Sequence, residues 1–230
     1  MNSEERKRII ISLLIAVSFI YVLWLVHFSA IYFKINVSEF GLIPKKIIGL
    51  RGIILAPLLH ADQLHLISNS VSLFILSCIA VYYYRKIFFS SFIIIYLLSG
   101  VLVWFFARPS SHIGASGVVY GLATFIFFSG VLRRDVQLIT ISLLVIFLYG
   151  SLFWGLFPFI PHQSFEYHLA GAVSGILCAF IYKSKGPQRP IYSWEQEGYI
   201  QEDFEMENLE IERLEKEMEE LNKIEKEDQE

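Results

Sequence analysis

Long apolar stretches alternate with short polar ones along most of this chain. Six apolar segments are each long enough for a helix that crosses a bilayer: residues 9–31, 62–84, 87–107, 114–132, 136–157 and 164–182. About 20 apolar residues in a helix span a hydrocarbon core ~30 Å thick, and backbone amides inside lipid must bond within a helix or a closed barrel. Because the segments are long and lack sustained two-residue alternation, the pattern predicts an all-α membrane protein with a bundle of six transmembrane helices.

The polar stretches divide the chain into three regions. Residues 1–8 are a polar N-terminus, residues 9–183 form the membrane domain, and residues 184–230 form an acidic tail. Within the membrane domain, the outer loop 32–61 carries an apolar run at 53–59 and is expected to dip into the membrane interface. Apolar tail residues recur mostly in three- and four-residue steps, which predicts an amphipathic helix or a very short coiled coil, although a solvated acidic helix fits equally well: Phe204, Ile211, Leu214, Met218 and Leu221.

Charge is distributed unevenly along this 230-residue chain, of which 55% is hydrophobic. Residues 191–230 contain 16 acidic and 4 basic residues, a net charge of −12, whereas residues 1–190 carry +9. Ten basic residues lie on one side of the predicted bundle (Arg6, Lys7, Arg8, Arg85, Lys86, Arg133, Arg134, Lys183, Lys185 and Arg189) and five on the other (Lys34, Lys45, Lys46, Arg51 and Arg108). The positive-inside rule then predicts cytoplasmic termini. The expected location is a bacterial inner membrane.

Three polar motifs stand at the start of the second, fourth and sixth segments. They are residues 65–69 (His-Leu-Ile-Ser-Asn), 114–117 (Gly-Ala-Ser-Gly) and 168–171 (His-Leu-Ala-Gly). In the predicted topology these segments enter the membrane from the same side. Counting back at 1.5 Å per residue from the basic residues at their far ends puts Asn69, Ser116 and His168 about 22–26 Å up. The three motifs are therefore expected in one layer, just beneath the outer edge of the hydrocarbon core.

Glycine spacing predicts that the fourth and sixth segments pack closely. Glycines 114, 117 and 121 form one stripe, and His168 with glycines 171 and 175 repeats the same spacing. Small residues at such intervals let membrane helices approach each other closely. This approach brings Ser116 within hydrogen-bond reach of His168. Tyr120, one turn after Ser116, is then placed to pack on the imidazole.

These residue types suit acyl transfer. A serine hydroxyl becomes nucleophilic when a base such as histidine takes its proton, and the developing oxyanion needs hydrogen-bond donors. The Ser116 backbone N–H, the Asn69 amide and His65 are the candidate donors. Glu166 is wrongly spaced to orient His168, so the sequence predicts a Ser–His dyad. Each motif also has a purely structural explanation. Small residues allow helices to pack closely, and a polar residue near a helix end can form a hydrogen bond with a loop. His27, His112 and His162 are expected at the interface and receive no role.

The combined motifs resemble those of the rhomboid family of intramembrane serine proteases. The matching elements are His60-x4-His65-x3-Asn69, Gly114-Ala-Ser116-Gly117-Val-Val-Tyr120-Gly121-Leu122 and His168-x2-Gly171-x3-Gly175. They occur in the family order on the expected helices. Departures are Leu50-Arg51-Gly52 in place of a first-loop Trp-Arg pair, Ala56 where some members have histidine, and Tyr167 where alanine is frequent.

The resemblance implies a role for each matching residue. Ser116 is the implied nucleophile and His168 the implied general base. His65, Asn69 and the Ser116 N–H would form the oxyanion site. Supporting roles in the turn, the helix packing and the imidazole stacking fall to Gly114, Gly117, Gly171 and Tyr120. His60 would be a structural first-loop histidine, and substrates would enter between the second and fifth helices.

The primary hypothesis is an intramembrane serine endopeptidase that cleaves transmembrane segments through an acyl-enzyme. It needs no cofactor or metal, and its expected partners are single-pass membrane proteins and lipids, not nucleic acid, with an unidentified cytoplasmic partner for the acidic tail. One alternative is a non-catalytic rhomboid-like protein that binds membrane clients. A less favoured one is a zinc-dependent lipid hydrolase that uses His60, Asp62, His65 and His168, whose side chains are suitable zinc ligands.

Overall fold

The computed structural model describes residues 2–159, 164–190, 204–214 and 216–218. The described chain is helical, and its one β-bridge joins Leu42 to His112. The α-helices are α1 Ser3–Tyr32, α2 Gly52–Leu55, α3 Gln63–Phe106, α4 Ser116–Arg133, α5 Val136–Tyr149 and α6 Phe165–Ile181, and the 3-10 helices are Val37–Phe40, Ile47–Arg51, Ala56–Leu58 and Gly150–Leu156.

Several of these helices have the length and composition of membrane spans. Four qualify among the described residues: Ser3–Tyr32, Gln63–Phe106, Ser116–Arg133 and the combined stretch Val136–Leu156. The apolar helix α6 is shorter, with 17 residues. Large apolar side chains on these helices face outward, among them Leu14, Phe147 and Leu177. Such a surface is suited to lipid rather than water.

The second and third predicted segments form the two halves of α3, which join at Tyr84 without an intervening loop. Its 44 residues would reach about 66 Å if straight. However, Tyr84 departs from helical geometry, with φ −115° and ψ 27°. Near the end of α3, the Tyr96 hydroxyl donates to the Ile54 carbonyl and the Trp104 indole N–H to the Lys46 carbonyl, both in the loop that leads into the start of α3. The chain therefore turns back at Tyr84.

The fifth segment also differs from its predicted form, because the α-helix ends at Tyr149 and residues Gly150–Leu156 continue as a 3-10 helix. This tighter stretch turns backbone carbonyls toward the neighbouring helices. The outer loop 32–61 contains helical turns, not only extended chain. Tyr96 and Trp104 fasten this loop to the second half of α3.

The centre of the bundle is the contact between α4 and α6. A Cβ atom at Gly171 would overlap the Gly117 carbonyl, and one at Gly175 would overlap the Gly121 carbonyl. The Thr124 hydroxyl donates across the interface to the Ala172 carbonyl at 3.0 Å. The two backbones therefore touch, as the glycine spacing predicts, and no residue larger than glycine fits at these two positions.

Arg133 joins the far ends of the same two helices. Sequence analysis counted it among the charges at the aqueous boundary, but it is buried. Its guanidinium donates to the carbonyl oxygens of Tyr182, Lys185 and Pro187, just beyond α6. These carbonyls belong to the C-cap of α6 and to the turns that follow it, so one buried guanidinium fixes the path of the chain as it leaves the helix.

Residues 189–230 form a separate compact unit. Its stretches 204–214 and 216–218 are helical and exposed, with the Arg213 Nε atom 3.3 Å from the Glu217 carboxylate. Leu221, the last apolar residue of the predicted amphipathic pattern, lies outside the described residues.

We predict that Gly175→Val destabilises the bundle. A valine side chain would overlap the Gly121 carbonyl and the Thr124 hydroxyl, and overpacking of this kind costs about 1–3 kcal/mol. Unfolding in detergent, followed by circular dichroism, measures the loss. Leu177→Val, on the exposed side of α6, is the control and should unfold close to the native midpoint. Equal stability of the two variants would contradict the close contact.

Candidate active site

Ser116 is the first residue of α4, and the turn before it requires glycine. Gly114 has φ +114°, a conformation that glycine adopts without steric cost. Its N–H donates to the Ala56 carbonyl at 2.8 Å. A Cβ atom at Gly114 would lie 2.7 Å from His65 Nε2 and 3.5 Å from Asn69 Nδ2. The turn that presents Ser116 is thus packed directly against both candidate oxyanion side chains.

His168 lies in the first turn of α6 and is 4% exposed. Its ring stacks on Tyr120, with centroids 4.2 Å apart and planes inclined by 7°. Tyr120 is one turn after Ser116 on α4, and its hydroxyl donates to the Leu152 carbonyl at 2.8 Å. The structure therefore gathers Ser116, Tyr120 and His168 at the start of the α4–α6 contact. Within the described chain, the Ser116 hydroxyl has no hydrogen bond to His168; such bonds are often long in free enzymes and tighten with substrate.

A backbone carbonyl orients His168. Its Nδ1 atom lies 2.8 Å from the Gly155 carbonyl oxygen in the 3-10 helix that follows α5. Because a carbonyl only accepts, Nδ1 must carry the proton, and in the neutral ring Nε2 is then the unprotonated nitrogen. In this structure a main-chain atom sets the tautomer of His168, as a buried aspartate does for the histidine of a Ser-His-Asp triad.

Gly155 itself is required by close packing. A Cβ atom there would overlap the Tyr120 hydroxyl and lie 3.3 Å from His168 Nδ1. Sequence analysis did not identify Gly155, because a carbonyl that every residue possesses carries no residue-type signal. The position of a glycine in an otherwise bulky aromatic stretch was the one available indication.

Hydrogen-bond donors surround the start of α4. Asn69 is 6% exposed, and its Nδ2 atom has no hydrogen-bond partner in the described part of the chain. Asp62 caps α3 by accepting from the His65 N–H at 2.8 Å, which anchors the turn that carries His65. No side chain caps α4, so the Ser116 N–H at its start has no capping acceptor in the described part of the chain. Together these groups can stabilise negative charge next to Ser116.

His60 supports the same turn from the outer loop. Its Nε2 atom accepts from the Ala115 N–H at 3.4 Å, and its ring contacts the edge of His65 with centroids 5.0 Å apart. Burial, reinforced by the nearby His65, lowers the pKa of His60 to about 4. His60 is therefore neutral at pH 7 and acts as a packing and acceptor group.

The remaining charged candidates are directed elsewhere. The Glu166 carboxylate pairs with Arg108 at 3.1 Å and does not bond His168, as its spacing predicted. Among the residues that the structure describes, no three His, Cys, Asp or Glu side chains are grouped to hold a metal ion. The zinc-hydrolase alternative, which needs His60, Asp62, His65 and His168, thus receives no support from this geometry. His27 and His112, expected at the interface, are buried, and His162 lies outside the described residues.

The chain is similar in sequence to a known protein family and to several uncharacterized proteins. Residues 49–185 match the family model of the Rhomboid domain, a region that includes Ser116 and His168. The chain is 30% identical over 206 residues to an uncharacterized protein of Mycobacterium tuberculosis, a match that covers 86% of this chain and 85% of that protein. An uncharacterized protein of Mycobacterium bovis is equally similar. One of Mycobacterium leprae is 26% identical over 207 residues, 86% of this chain and 81% of that protein.

We predict that the His168 ring carries its single proton on Nδ1. The Gly155 carbonyl can only accept, so a proton on Nε2 would set two lone pairs against each other. Nitrogen-15 NMR of protein labelled at histidine, compared with the His168→Gln variant to assign the signal, measures the tautomer. A His168 signal with Nε2 protonated would contradict the orientation described above.

Proposed function

The chain belongs to the rhomboid family, and from this premise we propose that it is an intramembrane serine endopeptidase in which Ser116 is the nucleophile and His168 the general base. One observation carries the proposal. The Gly155 carbonyl and the Tyr120 ring together hold His168, in the first turn of α6, with Nε2 unprotonated and beside α4, the helix that begins with Ser116. A histidine held in this way is ready to take a proton from a neighbouring hydroxyl.

The proposed reaction follows from these groups. The Ser116 Oγ atom attacks the scissile carbonyl carbon while His168 Nε2 takes the hydroxyl proton. The tetrahedral oxyanion accepts hydrogen bonds from the Ser116 N–H, the Asn69 amide and His65. When the C–N bond breaks, the imidazolium gives its proton to the leaving amine and an acyl-enzyme remains. Water, deprotonated by His168, then attacks the ester and releases the second product.

The surroundings of His168 suit the charged intermediate. During the reaction the ring becomes an imidazolium, with its Nδ1–H still directed at the Gly155 carbonyl oxygen. The stacked Tyr120 ring offers a π face to the cation. Both groups are neutral dipoles, so no permanent charge has to be buried to stabilise a transient one.

We further propose that the membrane domain crosses the bilayer six times, with both termini in the cytoplasm of a bacterial cell. The two halves of α3 supply two crossings, which the turn at Tyr84 supports, and α1, α4, α5 and α6 supply one each. Arg85 and Lys86 directly follow the turn and are exposed, as expected at a membrane surface. In this arrangement Ser116 lies near the outer face, and the substrates are single-pass membrane proteins.

Substrate access is proposed past α5. This helix packs on α4, where Ser142 donates to the Phe127 carbonyl at 3.0 Å, while Leu143 and Phe147 are exposed. A peripheral helix with a largely lipid-facing surface can move with little loss of packing. Movement of α5 would open the bundle beside α4, where Ser116 lies.

We expect Ser116→Ala to abolish cleavage of a model single-pass substrate, because the alanine has no nucleophile. The substrate is co-reconstituted with purified protein in lipid vesicles, and fragments are detected by immunoblotting and mass spectrometry. Ser129→Ala is the matched control: Ser129 lies on the same helix, is buried, and its hydroxyl has no partner in the described chain. The control should cleave at the native rate.

The same assay separates the rival functions. Cleavage that survives in Ser116→Ala would refute the nucleophile assignment, and cleavage lost to a chelator would favour the zinc hydrolase. Substrate that co-purifies with the native chain but is never cut would favour the non-catalytic binder.

We expect Asn69→Ala to lower kcat by about 10²–10³, the usual cost of removing one oxyanion donor. The loss should fall on kcat with a smaller change in KM, since the donor acts mainly on the developing charge. Steady-state cleavage in vesicles measures both constants. Ser77→Ala, a buried residue of α3 whose hydroxyl has no partner in the described chain, is the control. A native kcat in Asn69→Ala would remove this residue from the oxyanion site.

A further inference from the structure

His112 is a fully buried polar residue for which the reaction scheme has no use. It lies in the connection between α3 and α4 and is 1% exposed. Its backbone exchanges two hydrogen bonds with Leu42 of the outer loop, each 2.9 Å long. Its side chain makes three polar contacts: Nδ1 is 2.6 Å from Ser164 Oγ, and Nε2 is 3.1 Å from the Arg108 carbonyl oxygen and 3.2 Å from Ser110 Oγ. Every polar atom of His112 is thus engaged.

The direction of each hydrogen bond can be assigned. The Arg108 carbonyl only accepts, so His112 carries its proton on Nε2 and its Nδ1 accepts from the Ser164 hydroxyl. Ser164 is the N-cap of α6, and its Oγ also accepts from the Tyr167 N–H at 3.3 Å. Burial lowers the pKa of His112, which favours the neutral ring. Arg108 and Glu166 are the charged groups that act on it.

The bond between His112 and Ser164 links matching positions on the two functional helices. His112 precedes Ser116 by four residues, and Ser164 precedes His168 by four residues. The ion pair between Arg108 and Glu166 is a second link between the same two segments. These segments therefore meet four residues before each of the two residues proposed to react.

We propose that His112 is a positioning residue, which through Ser164 fixes the start of α6 relative to the start of α4 and so holds His168 in register with Ser116. This role rests on the proposed function. The glycine contacts hold α4 and α6 together beyond the first turn of α6. That first turn carries His168 and is not held by those contacts. Misplacement of reacting groups by about 1 Å can lower a rate about 10²-fold.

The test uses the full-length protein in lipid vesicles. We compare His112→Phe, which keeps an aromatic ring but loses every side-chain hydrogen bond of His112, with Ser164→Gly and Ser164→Thr. Glycine is a good N-cap but has no hydroxyl, whereas threonine keeps both the cap and the donor. Three quantities are measured: the rate of Ser116 labelling by a fluorophosphonate, kcat and KM for a transmembrane substrate, and the unfolding midpoint.

The positioning role predicts a labelling rate and kcat that fall about 10- to 100-fold in His112→Phe and Ser164→Gly, at temperatures far below their unfolding midpoints and with KM nearly unchanged. Ser164→Thr should regain most of the native rate. The double variant His112→Phe/Ser164→Gly should be no slower than His112→Phe alone, because both changes remove the same bond. Ser110→Ala, which removes a hydroxyl 3.2 Å from His112 Nε2, is the control and should remain near native.

Native labelling in Ser164→Gly would overturn the positioning role, even if His112→Phe proves too unstable to measure. A loss that only parallels the unfolded fraction would also overturn it and leave His112 as a stabilising residue. These results differ from failure of the proposed function, in which the native chain itself is not labelled at Ser116.

Discussion

The direct contact between the backbones of α4 and α6 is the constraint on which the site depends. Membrane helices have little hydrophobic drive to associate within lipid, so close packing and hydrogen bonds hold them together. Here the glycines at 171 and 175 pack against the carbonyls of Gly117 and Gly121. The Thr124 hydroxyl also donates from α4 to the Ala172 carbonyl of α6. Because nothing separates the two backbones, the first turns of both helices lie side by side. Tyr120 can then reach across and stack on His168.

The polar groups of the site are arranged with very little buried charge. A permanently charged residue within a bilayer is costly, and an unpaired buried carboxylate more so. His168 is instead oriented by the Gly155 carbonyl, and Asn69 and the uncapped start of α4 supply neutral donors. The ion pair of Glu166 with Arg108 lies at the entrance to α6, where Arg108 is exposed. The proposed Ser–His pair would therefore need no buried carboxylate, because a main-chain carbonyl orients its histidine.

Much of this arrangement is encoded in local patterns that the sequence displays openly. Apolar length predicted the helices, and the glycine spacing predicted which pair would touch. The reversal of the chain between residues 84 and 87 was predicted from Arg85 and Lys86, but not that the two helical halves join at Tyr84 without an intervening loop. Gly155 and His112 were missed for a different reason. Gly155 acts through its backbone carbonyl, and His112 through a partner about fifty residues away in the sequence. Residue type alone reveals neither role.

The central claim is that Ser116 becomes a nucleophile because His168 takes its proton. Mass spectrometry of the vesicle-embedded native protein after fluorophosphonate treatment tests this most directly, by locating the modified residue. The account predicts one adduct, on the peptide that contains Ser116, and its loss in His168→Ala while that variant remains folded. An adduct on another residue, or an undiminished Ser116 adduct without His168, would contradict the account.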